Sequence, residues 1–136
     1  IGINEWGSCN FMHSRGEVRS FLQSSAYYWL KEFHFDGLRI DAVSNLIYWQ
    51  GDKERGENPS AIRFIQTMNA GLKKRCPEGI LIAEDSTVYP GVTATVAEGG
   101  LGFDYKWDLG WMNDTLSYMQ TAPAERRKQH DKYMLS

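Results

Sequence analysis

Two short apolar runs, each ending in an acidic residue, constrain the fold of this chain most strongly. The first is Gly37-Leu38-Arg39-Ile40-Asp41-Ala42-Val43 and the second is Gly79-Ile80-Leu81-Ile82-Ala83-Glu84-Asp85. Each is short, rich in leucine or β-branched residues and led by glycine, the pattern of a buried strand. Between them, Asn58-Pro59 marks a helix start: a capping side chain, then proline at the first helical position. Ile62, Ile65, Met68/Asn69 and Leu72 then fall on one face, and Cys76-Pro77-Glu78-Gly79 ends the helix. Strand, helix, strand is a parallel crossover unit.

The remaining elements extend that unit. Residues 1–16, with Gly2, Gly7 and Gly16, form an irregular loop. From residue 17 to 33, Val18, Phe21, Leu22, Ser25/Ala26, Trp29 and Phe33 recur in steps of three and four, so a helix is expected. His34-Phe35-Asp36-Gly37 stops it. A charged loop covers 50–58. After Glu84 comes a loop with Tyr89-Pro90-Gly91, punctuated by Gly99-Gly100. Residues 102–107 are expected to form a third strand, 109–119 a helix, and Ala122-Pro123 opens a last polar helix. All strands would be parallel.

Two architectures accept this order: an open doubly wound sheet or part of a (β/α)8 barrel. The open sheet would carry a glycine-rich phosphate turn after a strand, whereas Gly99-Gly100-Leu101-Gly102 precedes one. The expectation is therefore α/β, a partial (β/α)8 TIM barrel. A whole barrel needs about 250 residues, so the 136 residues would supply about three of its strands as one segment, 1–136, of a barrel domain. The chain does not begin with Met, which hints at a piece of something longer.

Composition narrows the function classes. Apolar residues make up 42%, an ordinary share for a globular domain. Five Trp, seven Tyr and six Phe suit a large core and also suit sugar platforms, with core the ordinary use. A formal net charge of −2 gives no reason to expect nucleic acid or an anionic membrane as partner. Arg126-Arg127-Lys128, with Glu125 and Asp131 nearby, fits a solvated helix face. Cys9 and Cys76 lack metal-type spacing and are expected as free thiols. No ligand spacing implies a metal or an organic cofactor. No stretch is long and apolar enough to span a bilayer and no secretory signal is evident, so a cytoplasmic location is expected.

In parallel α/β folds the chemistry sits at the carboxyl ends of the strands. Asp41 and Glu84 stand there, on consecutive strands. Neighbouring strands are about 4.8 Å apart, and a retaining glycosidase pair needs its carboxyl groups about 5 Å apart. Asp is short and held near the strand, which suits a nucleophile; Glu reaches further, which suits a proton shuttle. Arg39 lies two residues before Asp41, so both side chains point to one side of the strand. An arginine there keeps a carboxylate ionised and oriented, although a structural ion pair at a strand end has the same sequence. Asp85 should point away from Glu84 and cap the loop through Ser86-Thr87.

These residues carry a resemblance. Asp36-Gly37-Leu38-Arg39-Ile40-Asp41-Ala42-Val43 and Ile82-Ala83-Glu84-Asp85-Ser86-Thr87 resemble the nucleophile and acid/base strand motifs of the alpha-amylase superfamily. Trp6-Gly7, the run 17–22, Asn45-Leu46-Ile47-Tyr48, Tyr89-Pro90-Gly91-Val92 and the block 99–114 resemble 1,4-alpha-glucan branching enzymes more particularly. The resemblance covers nearly the whole chain and would place it at about the fourth to sixth barrel strands. It implies Asp41 as nucleophile, Glu84 as general acid/base, Arg39 as the arginine supporting the nucleophile, and Tyr48 either lining the donor side of the site or serving as a core aromatic. Barrel packing is the ordinary role for Trp107 and Trp111. Met12-His13-Ser14-Arg15-Gly16 departs from the aromatic-glycine-basic stretch usual before this region, and His13, His34 and His130 are not expected in the chemistry. The superfamily's third acid and its histidine motifs are absent from these residues.

The resemblance implies a parent enzyme acting on α-glucan: it cleaves an α-1,4 linkage through a covalent glycosyl-enzyme and passes the chain to a 6-hydroxyl. An α-glucan hydrolase or debranching enzyme of the same superfamily is the alternative within that class. From another class, the chain is a non-catalytic, carbohydrate-contacting or structural segment. The isolated chain is expected to be inactive and to self-associate through Leu38, Ile40, Leu81 and Ile82, left uncovered by the missing barrel.

Overall fold

The computed structural model describes residues 9, 11–87 and 89–129. Gly2, Trp6, Gly7, His130 and Asp131, singled out above, lie outside the described residues.

The first helix, α1, runs Gly16–Lys31, close to the expected 17–33. His34 turns the chain with φ 55°, a left-handed conformation that ends helical propagation. Strand β1 is Gly37–Ile40, shorter than the expected run to Val43. Ala42 takes φ 48°, which ends the strand just beyond Asp41, although the Val43 amide still donates to the Glu84 carbonyl at 2.9 Å. One helical turn, α2 (Ser44–Ile47), follows and buries Ser44 and Ile47. It is too short to leave a periodic signal.

Helix α3 spans Pro59–Arg75, with the Asn58 side chain accepting from the Ala61 amide at 3.3 Å, the cap read from the sequence. Strand β2 is Ile80–Asp85. Strand β3 is Tyr105–Asp108, three residues later than expected. Gly102 at φ 78° keeps the approach irregular; at Asp104 the backbone amide donates to the Leu81 carbonyl at 2.8 Å and the carboxylate accepts from the Leu81 amide at 2.7 Å. Helices α4 (Leu109–Gln120) and α5 (Pro123–Arg126) end the described chain, α4 capped by Asp108, which accepts from Gly110 N at 2.7 Å.

The sheet has the order β1-β2-β3 and every pair is parallel, as expected. Gly37 pairs with Ile80, Ile40 with Ala83, Glu84 with Trp107 and Asp85 with Asp108. A Cβ on Gly37 would collide with the Ile80 carbonyl oxygen, so glycine lets β1 begin close against β2.

Alternation along the strands gives the sheet two unlike faces. One carries Leu38, Ile40, Leu81 and Ala83 against Leu22 and Ala26 of α1 and Phe64, Ile65, Met68 and Leu72 of α3. The expectation that Leu38, Ile40 and Leu81 are uncovered is therefore corrected. Leu81 is buried, and Leu38 and Ile40 pack against the core, because their parity along the strands turns them toward the helices. The other face carries Ile80, Ile82, Tyr105 and Trp107; Trp111 and Met112 of α4 border it in a groove with Ile82, Tyr105 and Trp107, and Ile80, Tyr105 and Trp107 stay exposed. No described helix is long and apolar enough to cross a membrane. Cys9 and Cys76 are free thiols.

Candidate active site

The open face is where the carboxylates meet. Asp41 directly follows β1, and continuing the register past Ile40–Ala83 sets it beside Glu84, which in turn pairs with Trp107. Arg39, two residues before Asp41, points the same way, as the strand period requires. Its Nε lies 2.8 Å from Asp41 Oδ1 and its Nη2 lies 3.7 Å from Glu84 Oε2. The guanidinium carbon sits 5.2 Å from the centroid of the Trp107 ring. One planar cation thus spans both carboxylates and rests on an indole, a combination that a fork of N–H donors and a flat face allow and an ammonium does not.

The two carboxylates differ in environment. The Asp41 side chain is 68% exposed and that of Glu84 is 22% exposed. Asp41 stands at the turn made by Ala42, free of the strand ladder; Glu84 stands inside the last pairs of β2 with β3. A short, accessible carboxylate beside an arginine is equipped to attack, and a longer, more enclosed one to move a proton.

The opposite face at the same strand ends is differently built. Asp85 is fully buried. Thr87 donates to it through its amide at 3.1 Å and its hydroxyl at 2.9 Å, so the expected loop cap is present. Lys106 Nζ reaches Asp85 Oδ2 at 3.3 Å, Asp108 Oδ2 at 3.7 Å and the Thr87 carbonyl at 2.5 Å. Among the described residues no group of three or more His, Cys, Asp or Glu side chains is arranged to hold a metal.

Tyr48 lies in the loop after α2 and is buried. Its ring meets Tyr89 edge to face with centroids 6.2 Å apart, and its backbone bridges Glu57. Burial, with Glu57 and Tyr48 nearby, raises the pKa of the Tyr89 phenol above its ordinary value. The loops that leave β1 and β2 therefore meet at this aromatic pair. The contacts joining Arg39, Asp41, Glu84 and Trp107 do not include Tyr48. Sequence reasoning missed the placement of Trp107, which it assigned to packing. The signal was the alternation Tyr105-Lys106-Trp107, which needed the register with Glu84 to become a statement about the site.

No protein-family model matches the chain. Curated relatives do. The chain is 52% identical over all its 136 residues to a 1,4-alpha-glucan branching enzyme GlgB of Fusobacterium nucleatum, covering 22% of that protein. It is 51% identical over 125 residues to the Bacillus subtilis 1,4-alpha-glucan branching enzyme GlgB, covering 92% of this chain and 20% of that protein. A 1,4-alpha-glucan branching enzyme GlgB 2 of Clostridium perfringens is 50% identical over 141 aligned positions, covering 96% of this chain and 21% of that protein. The chain spans about a fifth of the length of these relatives. Over 92% or more of its length, the chain is thus similar to a stretch of each of these 1,4-alpha-glucan branching enzymes.

Proposed function

We propose that this chain is the nucleophile-bearing segment of a 1,4-alpha-glucan branching enzyme, residues 1–136 forming about the fourth to sixth strands of a (β/α)8 barrel. The parallel order β1-β2-β3, with α1 and α3 packed together on one face, supports the barrel. The substrate is then an α-glucan, no other partner is needed, and a biosynthetic role of this kind fits a cytoplasmic protein.

One observation carries the mechanism: the Arg39 guanidinium lies against Asp41 and Glu84 together, at neighbouring strand ends on the uncovered face. Asp41 attacks the anomeric carbon of the donor glucan. A bond forms between its carboxylate oxygen and that carbon, the bond to the leaving 4-oxygen breaks, and the Glu84 proton goes to that oxygen. In the second step the Glu84 carboxylate takes the proton of an acceptor 6-hydroxyl, whose oxygen attacks the same carbon and releases Asp41. Two inversions retain the α configuration and leave an α-1,6 branch. Arg39, 2.8 Å from Asp41, aims its carboxylate. Tyr48, in the loop after α2 and packed against Tyr89 of the loop after β2, lines the donor side. The third acid of the superfamily belongs to another part of the longer protein.

The test is trapping in the full-length protein. A fluorinated glycosyl probe should add its mass to the peptide containing Asp41, and Asp41→Asn should abolish both labelling and turnover. Label on any other residue overturns the assignment. Glu84→Gln should remove turnover of unactivated glucan while leaving Asp41 open to labelling by probes with good leaving groups.

A further inference from the structure

We propose that Lys106 is a positioning residue for Glu84, acting from the far side of the sheet. The proposal rests on Glu84 being the acid/base of the function proposed above. Among the described residues the ion-pair partner of the Glu84 carboxylate is Arg39, at a long 3.7 Å. The direction of Glu84 is therefore set by the backbone that carries it more than by its own contacts. That backbone is fixed one residue later. Asp85, on the opposite face, is buried and held by the Thr87 amide and hydroxyl. Its cation is Lys106, 3.3 Å away.

Lys106 also closes the arrangement. Its ammonium donates to the Thr87 carbonyl and approaches Asp108, so three points on two strand ends converge on one nitrogen. Asp85 and Asp108 are register partners, and Lys106 lies between their carboxylates. Two carboxylates set side by side at the end of a parallel pair repel each other; the ammonium turns that repulsion into a clamp. Because Glu84 and Asp85 share a peptide unit and point to opposite faces, a clamp on Asp85 and Thr87 stops the strand end from rolling about its own axis. Rolling is the motion that would swing Glu84 away from a leaving oxygen. Misplacement by about an ångström at such a group can cost about 100-fold in rate.

The experiment uses the full-length protein with two donors. One is amylose, whose departing sugar oxygen needs a proton. The other is an α-maltooligosyl fluoride, followed through its first-turnover release of fluoride, which needs none. Lys106→Met should lower the amylose rate about 100-fold, with KM within about twofold and fluoride release within about threefold. Because this variant leaves Asp85 buried without its cation, Asp85→Asn/Lys106→Met is made alongside. The asparagine keeps the acceptor for Thr87 and removes the stranded charge, so thermal stability should return while the leaving-group-dependent defect stays. Equal losses on both donors, no loss on amylose, or recovery of activity together with stability would each overturn the positioning role. Glu84→Gln is the control. If it turns over amylose normally, the acid/base assignment itself falls, and the role of Lys106 with it.

Discussion

Arg39→Lys separates what the guanidinium does for stability from what it does for chemistry. The structure gives the two parts different sizes. At a separation near 4 Å and an effective dielectric of about 20, one ion pair has a gross attraction of about 4 kcal/mol. Arg39 reaches Asp41 at 2.8 Å and Glu84 at 3.7 Å, but its side chain is 42% exposed. Solvent screening and the entropy of holding long side chains reduce such pairs to below about 1 kcal/mol. Lysine keeps the charge, so the loss of stability should be smaller still. It has a single nitrogen where arginine has a fork, and it cannot lie flat on the Trp107 ring while touching both carboxylates. Asp41 then loses its 2.8 Å orienting contact, and the expected fall in kcat is about 100-fold. Circular-dichroism melts and branching rates on the full-length protein measure the two quantities together. Near-normal kcat would show that the bridge is a surface ion pair without a role. A fall in rate matched by a similar fall in folded fraction would show that it is structural.

Two further perturbations follow from burial. Leu81→Ala should destabilise the fold by about 3 kcal/mol, while Ile80→Ala, one residue away on the open face, should cost less than about 1 kcal/mol in this chain; urea unfolding compares them, and equal effects would contradict the face assignment. The pKa of His13 is lowered by burial and then by the charge of Arg19, so neutral His13 contributes stability that is fully present above its ordinary value of 6.5 and lost as pH falls through the folded value. Thermal melts from about pH 7.5 down to about pH 5 should therefore fall more steeply for the native sequence than for His13→Phe, whose ring can keep the contact with Phe64.

The crossover unit was legible because its signals are local. Asn58-Pro59 begins α3 where a cap and a proline require it, and β2 follows the glycine that ends the turn. Asp41, Glu84 and Arg39 were legible as neighbours because period-two alternation and parallel pairing fix their side and their height. What was hidden depends on pairing between distant segments. Strand β3 starts at Tyr105, just after Asp104, whose carboxylate accepts from the Leu81 amide, a contact across 23 residues that no window of sequence contains. The pairing of β3 with β2 sets Trp107 beside Glu84, and Lys106 reaches Asp85 across the strand ends. The expectation that Leu38, Ile40, Leu81 and Ile82 are all uncovered did not separate the two sheet faces, and α1 and α3 cover the one that carries Leu38, Ile40 and Leu81.

The uncovered surface leads to a statement about the chain in isolation. β1 and β3 are the outer strands of the three, so each presents backbone donors and acceptors on one side that no described strand satisfies. Edges of this kind are templates for pairing with another chain. The open face adds Ile80, Tyr105 and Trp107, and α4 adds Trp111, Leu116 and Met119, all exposed. A second aromatic group, Tyr28, Trp29, Phe33 and Phe35, is exposed at the other end of the sequence order. Burying apolar surface gains about 25 cal/mol per Å², and contiguous patches beyond a few hundred Å² are rare on monomers. The apolar groove beside β1, about 450 Å³ and lined by Trp29, Leu38, Ile40 and Phe64, gives a neighbour's strand or helix somewhere to sit. The isolated chain should therefore associate with copies of itself and lack branching activity, because its site has one wall and two acids. Sedimentation velocity across a hundredfold range of concentration, about 1–100 μM, should show a rising mean mass. A monodisperse monomer with a sharp, concentration-independent melt would mean that the helices at Gly16–Lys31 and Pro59–Arg75 suffice for a self-contained domain, and the barrel-segment proposal would lose its strongest physical support.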